Sequence, residues 1–152
     1  GTRFMTDRTF VDTNVLIYAR DQKEGDKQPR AQAWLDRLAA GRNLVTNLQV
    51  LNEFARWLLR NERSRPIESL RREIDLLAYY GAEPLTAADV ERAWEIRGTL
   101  GYQWFDCLLI AAATAAECRY FLSEDMTHEA RYGGLTIINP FRVDLDAFFK
   151  AN

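Results

Sequence analysis

The chain has 152 residues, 47% hydrophobic and 28% charged, and a formal net charge of −2. That size suits one domain built on one core, and a charge so near zero does not advertise nucleic-acid binding in bulk. No apolar run approaches the roughly 20 residues needed to span a bilayer.

The opening "GTRFMTDRTF" has no apolar signal-peptide segment, so a cytoplasmic location is expected. Residues 1–4, ahead of Met5, read as a remnant of expression, leaving a single domain over 5–150. "RTFVDTNVLIYA" reads as a short buried strand at Thr9–Val11, a turn, and a helix from about Val15 capped by Thr13 or Asn14. Pro29 opens a helix that Gly41 ends, and "NLVTN" holds a strand over 43–46. Asn47 then caps "LQVLNEFARWLLR", with Leu51, Phe54, Ala55 and Leu58 on one apolar stripe.

After a break at "ERSRP", Pro66 starts a helix closed by Gly81, and "AEPL" reads as a brief strand. Thr86 with Asp89 forms a capping-box pattern for a helix bearing Val90, Ala93, Trp94 and Arg97. "GTLGYQ" is a loop before an alanine-rich helix in which Thr114 is the one polar residue between Leu108 and Ala116. Strands near Tyr120–Ser123 and Thr136–Ile138 follow, and "AFFK" adds a last turn or short strand. Short apolar strands alternating with helices indicate an α/β fold with a mostly parallel sheet.

Cys107 and Cys118 are expected on one helix, about 16 Å apart at 1.5 Å per residue, too far to bridge. With a single histidine, His128, a structural zinc site is not expected, and His128 reads as a surface loop residue without a role.

The acids carry the chemistry. Asp12 follows the first strand and Asp125 follows "YFLSE", just past the strand near Tyr120–Ser123, and groups just past the carboxyl ends of parallel strands face the binding crevice. Asp106 begins its helix and Glu53 lies in the second turn of another, both near that same edge. Asp106 shares a face with Ile110 and Ala113 and has no lysine or arginine one turn away. Glu53 lies at the margin of its apolar stripe, nearer Val50 and Trp57 than Arg56, and neither acid has an obvious local partner for a salt bridge. A partly buried, unpaired carboxylate costs several kcal/mol or takes up a proton, and clustered carboxylates raise one another's pKa. A divalent cation resolves this, and all-oxygen ligation points to Mg²⁺ or Mn²⁺. Each acid also has a plainer reading as helix cap, turn residue or surface acid.

Seventeen of the twenty cations are arginine, six of them in Arg56–Arg72. Arg56, Arg60, Arg63 and Arg65 are either phosphate contacts or a solvated helical face. Trp104 and Phe105, flanking Asp106, either stack on a base or, as is usual for such side chains, pack in the core. Trp57, Tyr79 and Trp94 serve the core or an interface.

The segments "FVDTNVLIYA", "LNEF", "WFDCLLIAAA" and "YFLSEDM…GLTIINPF", in that order, resemble a PIN-domain ribonuclease, and most closely a VapC-type toxin of a bacterial toxin–antitoxin pair. The resemblance spans about Thr9 to Phe141. It implies a PIN-like three-layer fold, a mostly parallel five-stranded sheet flanked by helices, with Asp12, Glu53, Asp106 and Asp125 as the acidic set. Asn14 and Ser123 match supporting positions, and Glu124 competes with Asp125 for the last place. It further implies Mg²⁺- or Mn²⁺-dependent RNA cleavage, a homodimer and a cognate antitoxin. The residues alone leave two alternatives: a metal-binding interaction module without turnover, and an aspartate-based phosphatase, which would want a second aspartate where Asn14 stands.

Overall fold

A computed structural model of the chain describes residues 7–151. Residues 1–4, the expected remnant, lie outside them. The strands are β1 (Thr9–Val11), β2 (Leu44–Val45), β3 (Tyr120–Leu122), β4 (Arg131–Tyr132) and β5 (Leu135–Ile138). The helices are α1 (Thr13–Arg20), α2 (Lys27–Ala40), α3 (Leu48–Asn61), α4 (Ile67–Ala78), α5 (Ala87–Leu100), α6 (Trp104–Ala115) and α7 (Leu145–Ala151).

The sheet order is β2-β1-β3-β5-β4, parallel except for β4, which runs antiparallel to β5. Every residue of β1 and β3 is buried, as expected of strands covered by helices on both faces. Phe10 and Phe121 stack with ring centroids 5.3 Å apart at the sheet centre. Trp34 is fully buried, and its indole N–H donates to the Pro140 carbonyl at 3.1 Å, which satisfies its one polar atom. From β1 the chain passes through α1 and α2 to β2 on one side, whereas β3 pairs with β1 on the other. The order therefore reverses between β1 and β3, and a crevice opens beyond the carboxyl ends of strands at such a point.

Several elements differ from the sequence reading. Helix α1 begins at Thr13, and its cap is Asp12, whose carboxylate accepts from the Thr13 amide. "AEPL" is not a strand. Its neighbourhood lends carbonyls to β2's edge, Tyr80 O to Thr46 N and Glu83 O to Leu48 N, but Pro84 has no N–H to continue a ladder. β4 was not expected; Gly133, at φ 57°, turns it back onto β5. Gly98 to Leu100 continue α5, with Gly101 as its left-handed cap. The buried face of α5 is Asp89, Ala93 and Ile96, while Val90 and Trp94 face outward. Helix α6 ends at Ala115, so Cys118 stands beyond it rather than on the helix of Cys107; both thiols are free and buried. The "AFFK" segment is helical, in α7. Among the described residues no helix is long and apolar enough to cross a membrane.

Candidate active site

Asp12 stands at the carboxyl end of β1 and is 5% exposed. One carboxylate oxygen accepts from the Thr13 amide at 2.7 Å, and the other from Ser123 Oγ at 2.7 Å and Asn14 Nδ2 at 3.3 Å. Burial drives its pKa up to about 7, against the pull of the Ser123 hydrogen bond. Asp106 pushes the same way as burial, the Thr13 amide opposes it, and Asp125 adds a further push.

The turn after β3 is fastened to Asp12 through Ser123. The Ser123 hydroxyl donates to Asp12 and accepts from Asn14 Nδ2 and the Asp125 amide, both at 3.2 Å, which uses its full hydrogen-bonding capacity. Asn14 Nδ2 also donates to Asp125 Oδ2 at 2.9 Å. Glu124 points elsewhere: it accepts from Tyr18 Oη at 2.5 Å and pairs with Lys27 at 2.7 Å. Burial would raise its pKa, but the bonds from Lys27 and Tyr18 outweigh that and hold it below the ordinary value. The two adjacent acids are thereby separated, Asp125 to the crevice and Glu124 to a cation.

Two helices bring the other acids. Glu53, in the second turn of α3, accepts from Thr13 Oγ1 at 2.8 Å and from Gln49 Nε2 at 3.0 Å. Asp106 lies in the first turn of α6 and is half-buried. It accepts no hydrogen bond and forms no ion pair among the described residues. Its pKa is raised by burial first, then by the charges of Asp125 and Glu53. The contributions of Thr13 and Gln49 were not anticipated, although Gln49 precedes Glu53 by four residues, the helical spacing that makes such pairs meet.

All four acids line one open cleft of about 1130 Å³, together with Arg56, Arg60 and Arg63. Arg65 does not join them. It pairs with Glu62 at 2.7 Å and Glu73 at 2.9 Å and donates to Ser69 Oγ at 2.7 Å, while Arg20 holds the same two glutamates from α1. Of the two readings open for Arg65, phosphate contact or solvated helical face, the structure shows neither: its guanidinium serves two carboxylates. Phe105 also departs from its core assignment. It is 64% exposed and lines the cleft, whereas Trp104 packs on Trp94 with centroids 4.5 Å apart. Trp57 stacks on Phe54 and Tyr79 is 88% exposed. His128 is not a surface residue; its side chain is 12% exposed, and Nδ1 accepts from the Asn139 amide at 3.0 Å.

None of the four acids forms an ion pair among the described residues, and Asp12 is buried. An all-oxygen donor set of this kind fits a hard divalent cation. Among the described residues no three His, Cys, Asp or Glu side chains are arranged to hold an ion by themselves. Neighbouring acids raise the pKa of Asp12 and of Asp106 without forming a closed cage.

A family model described as PIN domain matches residues 9–132. The fold is similar to a toxin–antitoxin complex from Klebsiella pneumoniae, with a TM-score of 0.62 at 16% identity, covering 87% of this chain and 97% of that one. It is similar to VapC20 of Mycobacterium tuberculosis, described as a sarcin–ricin loop cleaving toxin, with a TM-score of 0.54 at 22% identity, covering 74% and 86%. It is also similar to VapBC2 from Rickettsia felis bound to a promoter DNA fragment, with a TM-score of 0.59 at 17% identity, covering 86% and 97%. No curated protein matches the sequence.

Proposed function

The chain belongs to the PIN domain family, and from that premise we propose that it is a metal-dependent endoribonuclease, the toxin of a toxin–antitoxin pair, acting as a single domain over 5–150. The observation that carries the reading is that Asp12, Glu53, Asp106 and Asp125, drawn from four separate segments, line one cleft without an ion pair among the described residues. Asp12 and Asp106 would hold the ion, directly or through water, with Glu53 and Asp125 completing its surroundings. Bound Mg²⁺ or Mn²⁺ would activate a water and stabilise charge on the scissile phosphate and leaving oxygen.

The chain's own residues supply the rest. Ser123 and the Thr13 amide fix both oxygens of Asp12, so the carboxylate is oriented before anything binds. The Asn14 amide spans Asp12 and Asp125 and offsets their repulsion. An aspartate there, as an aspartyl phosphatase would want, would add a third negative charge to the same point. Thr13 turns Glu53 toward the cleft. A homodimer in the cytoplasm, held in check by a cognate antitoxin, completes the proposal.

The decisive experiment maps RNA ends produced by the purified protein with Mn²⁺, beside Asp12→Asn and Asp106→Asn. Discrete cuts by the wild type, absent from both folded variants, are expected. Full activity in both variants would remove Asp12 and Asp106 from the mechanism.

A further inference from the structure

The arginines near the cleft fall into two sets. Arg20 and Arg65 are spent on Glu62 and Glu73. Arg56, Arg60 and Arg63 line the cleft and form no ion pair among the described residues. Arg56 and Arg60 are one helical turn apart on α3, about 6 Å along its axis, and Arg63 follows just past the helix end. Three arginines without a carboxylate partner among the described residues thus extend one wall of the cleft beyond Glu53.

The other flank is apolar. Phe105 is 64% exposed and lines the cleft beside Asp106, with Leu48 at 39% and Leu85 at 36% exposed on the same lining. Gln49 Nε2 reaches the Phe105 carbonyl at 3.4 Å, so this ring stands by the first turn of α3, the end away from the arginines. The order along the cleft is aromatic ring, acids, arginines. A flat apolar surface on one side and a row of cations on the other is the combination that holds a single strand, with a base stacked and the backbone charge neutralised.

Resting on the nuclease reading, we propose that Phe105 is the base-stacking residue of this cleft: a base beside the scissile phosphate stacks on its ring while phosphates on the other side sit on Arg56, Arg60 and Arg63. A base held in a duplex stack has no free face for Phe105, so its contribution is confined to an unpaired base. Phe105 is a positioning and specificity residue and takes no part in the chemistry.

Binding of a fluorescent single-stranded RNA oligonucleotide, and of a duplex of the same sequence, is measured by anisotropy against salt in the Asp12→Asn background with Mg²⁺. Phe105→Ala is expected to weaken single-strand binding about five- to a hundredfold with an unchanged salt slope, and Phe105→Trp to restore it. Arg60→Ala should flatten the slope by about 0.7 for each phosphate that is no longer neutralised, and the duplex should bind more weakly than the single strand. Equal affinity of Phe105→Leu and Phe105→Trp, or of duplex and single strand, would overturn the proposal. Unchanged RNA affinity in every variant would overturn it too, and would give this wall to a protein partner. The nuclease reading fails separately, through absence of RNA cuts by the wild type with Mn²⁺.

Discussion

Ser123 Oγ donates to Asp12 Oδ2 at 2.7 Å, across 111 residues of sequence, and so ties the ends of the neighbouring parallel strands β1 and β3 together. The bond favours the ionised form of a carboxylate that burial works to neutralise. Ser123→Ala should leave the fold intact and raise the Asp12 pKa further. Outer hydrogen bonds of this kind are worth about 10- to 100-fold in metal affinity, so calorimetric titration with Mn²⁺ should show a loss in that range. Unaltered affinity would mean that the Thr13 amide and Asn14 suffice to orient Asp12.

The pKa of Asp12 makes stability depend on pH. Its carboxyl titrates near 3.8 in an unfolded chain and near 7 in the folded one. Between those values the native state keeps a proton that the unfolded state releases, so folding is favoured most below the lower value and loses ground as pH rises through the upper one. In chelator, unfolding free energy should fall by up to roughly 4 kcal/mol between pH 4 and 8 from this group. Millimolar Mn²⁺ should recover most of that loss at the alkaline end by binding the ionised site. A melting temperature indifferent to both pH and Mn²⁺ would contradict the burial of this charge.

Arg65 and Arg60 should separate cleanly. Arg65→Ala breaks the link between Glu62, Glu73 and Arg20 that fastens α1 to the α3–α4 junction. It should lower the melting temperature and leave the salt slope of RNA binding as it was. Arg60→Ala should do the reverse, because Arg60 lines the cleft and holds no carboxylate among the described residues. Melting curves and salt titrations on the two variants decide it.

Gly81 has φ +133°, and a Cβ there would lie 2.3 Å from the Thr46 carbonyl oxygen. Thr46 cannot retreat without cost, since its Oγ1 donates to the Gly81 carbonyl at 2.7 Å and its amide to Tyr80 O at 3.2 Å. Gly81→Ala should therefore cost about 2 kcal/mol or more, read from the urea midpoint. A neutral substitution would show that the 80–84 segment can move away from the edge of β2.

Local chemistry was legible in the residues. Asn47 caps α3, Thr86 and Asp89 form a reciprocal capping box, and Thr9–Val11 is a buried strand, because each rests on neighbours within a few residues. The acids were legible for the same reason: Asp12 and Asp125 come within three residues of the end of an apolar strand, and Glu53 and Asp106 lie in the first two turns of helices that begin at the same end of the sheet. The cap of α1 was misassigned to Thr13 or Asn14 because all three candidates are good caps, and the selection of Asp12 depends on how β1 enters the helix. The irregular "AEPL" segment and the short β4 were misread because edge pairing depends on a neighbouring strand whose position the local pattern does not state.

The sequence by itself determined which residues could carry the chemistry and at which ends of strands and helices they stand, since periodicity and capping act over a turn or two. Only the tertiary structure decided which of two adjacent acids enters the cleft and which meets Lys27. It also decided that Arg65 is paired while Arg56, Arg60 and Arg63 have no ion pair among the described residues, and that Phe105 is open. Helical phase gives a side chain's direction about its own axis, but its partner belongs to another element, here α1, α2 or the turn after β3, and that partner sets charge, exposure and role.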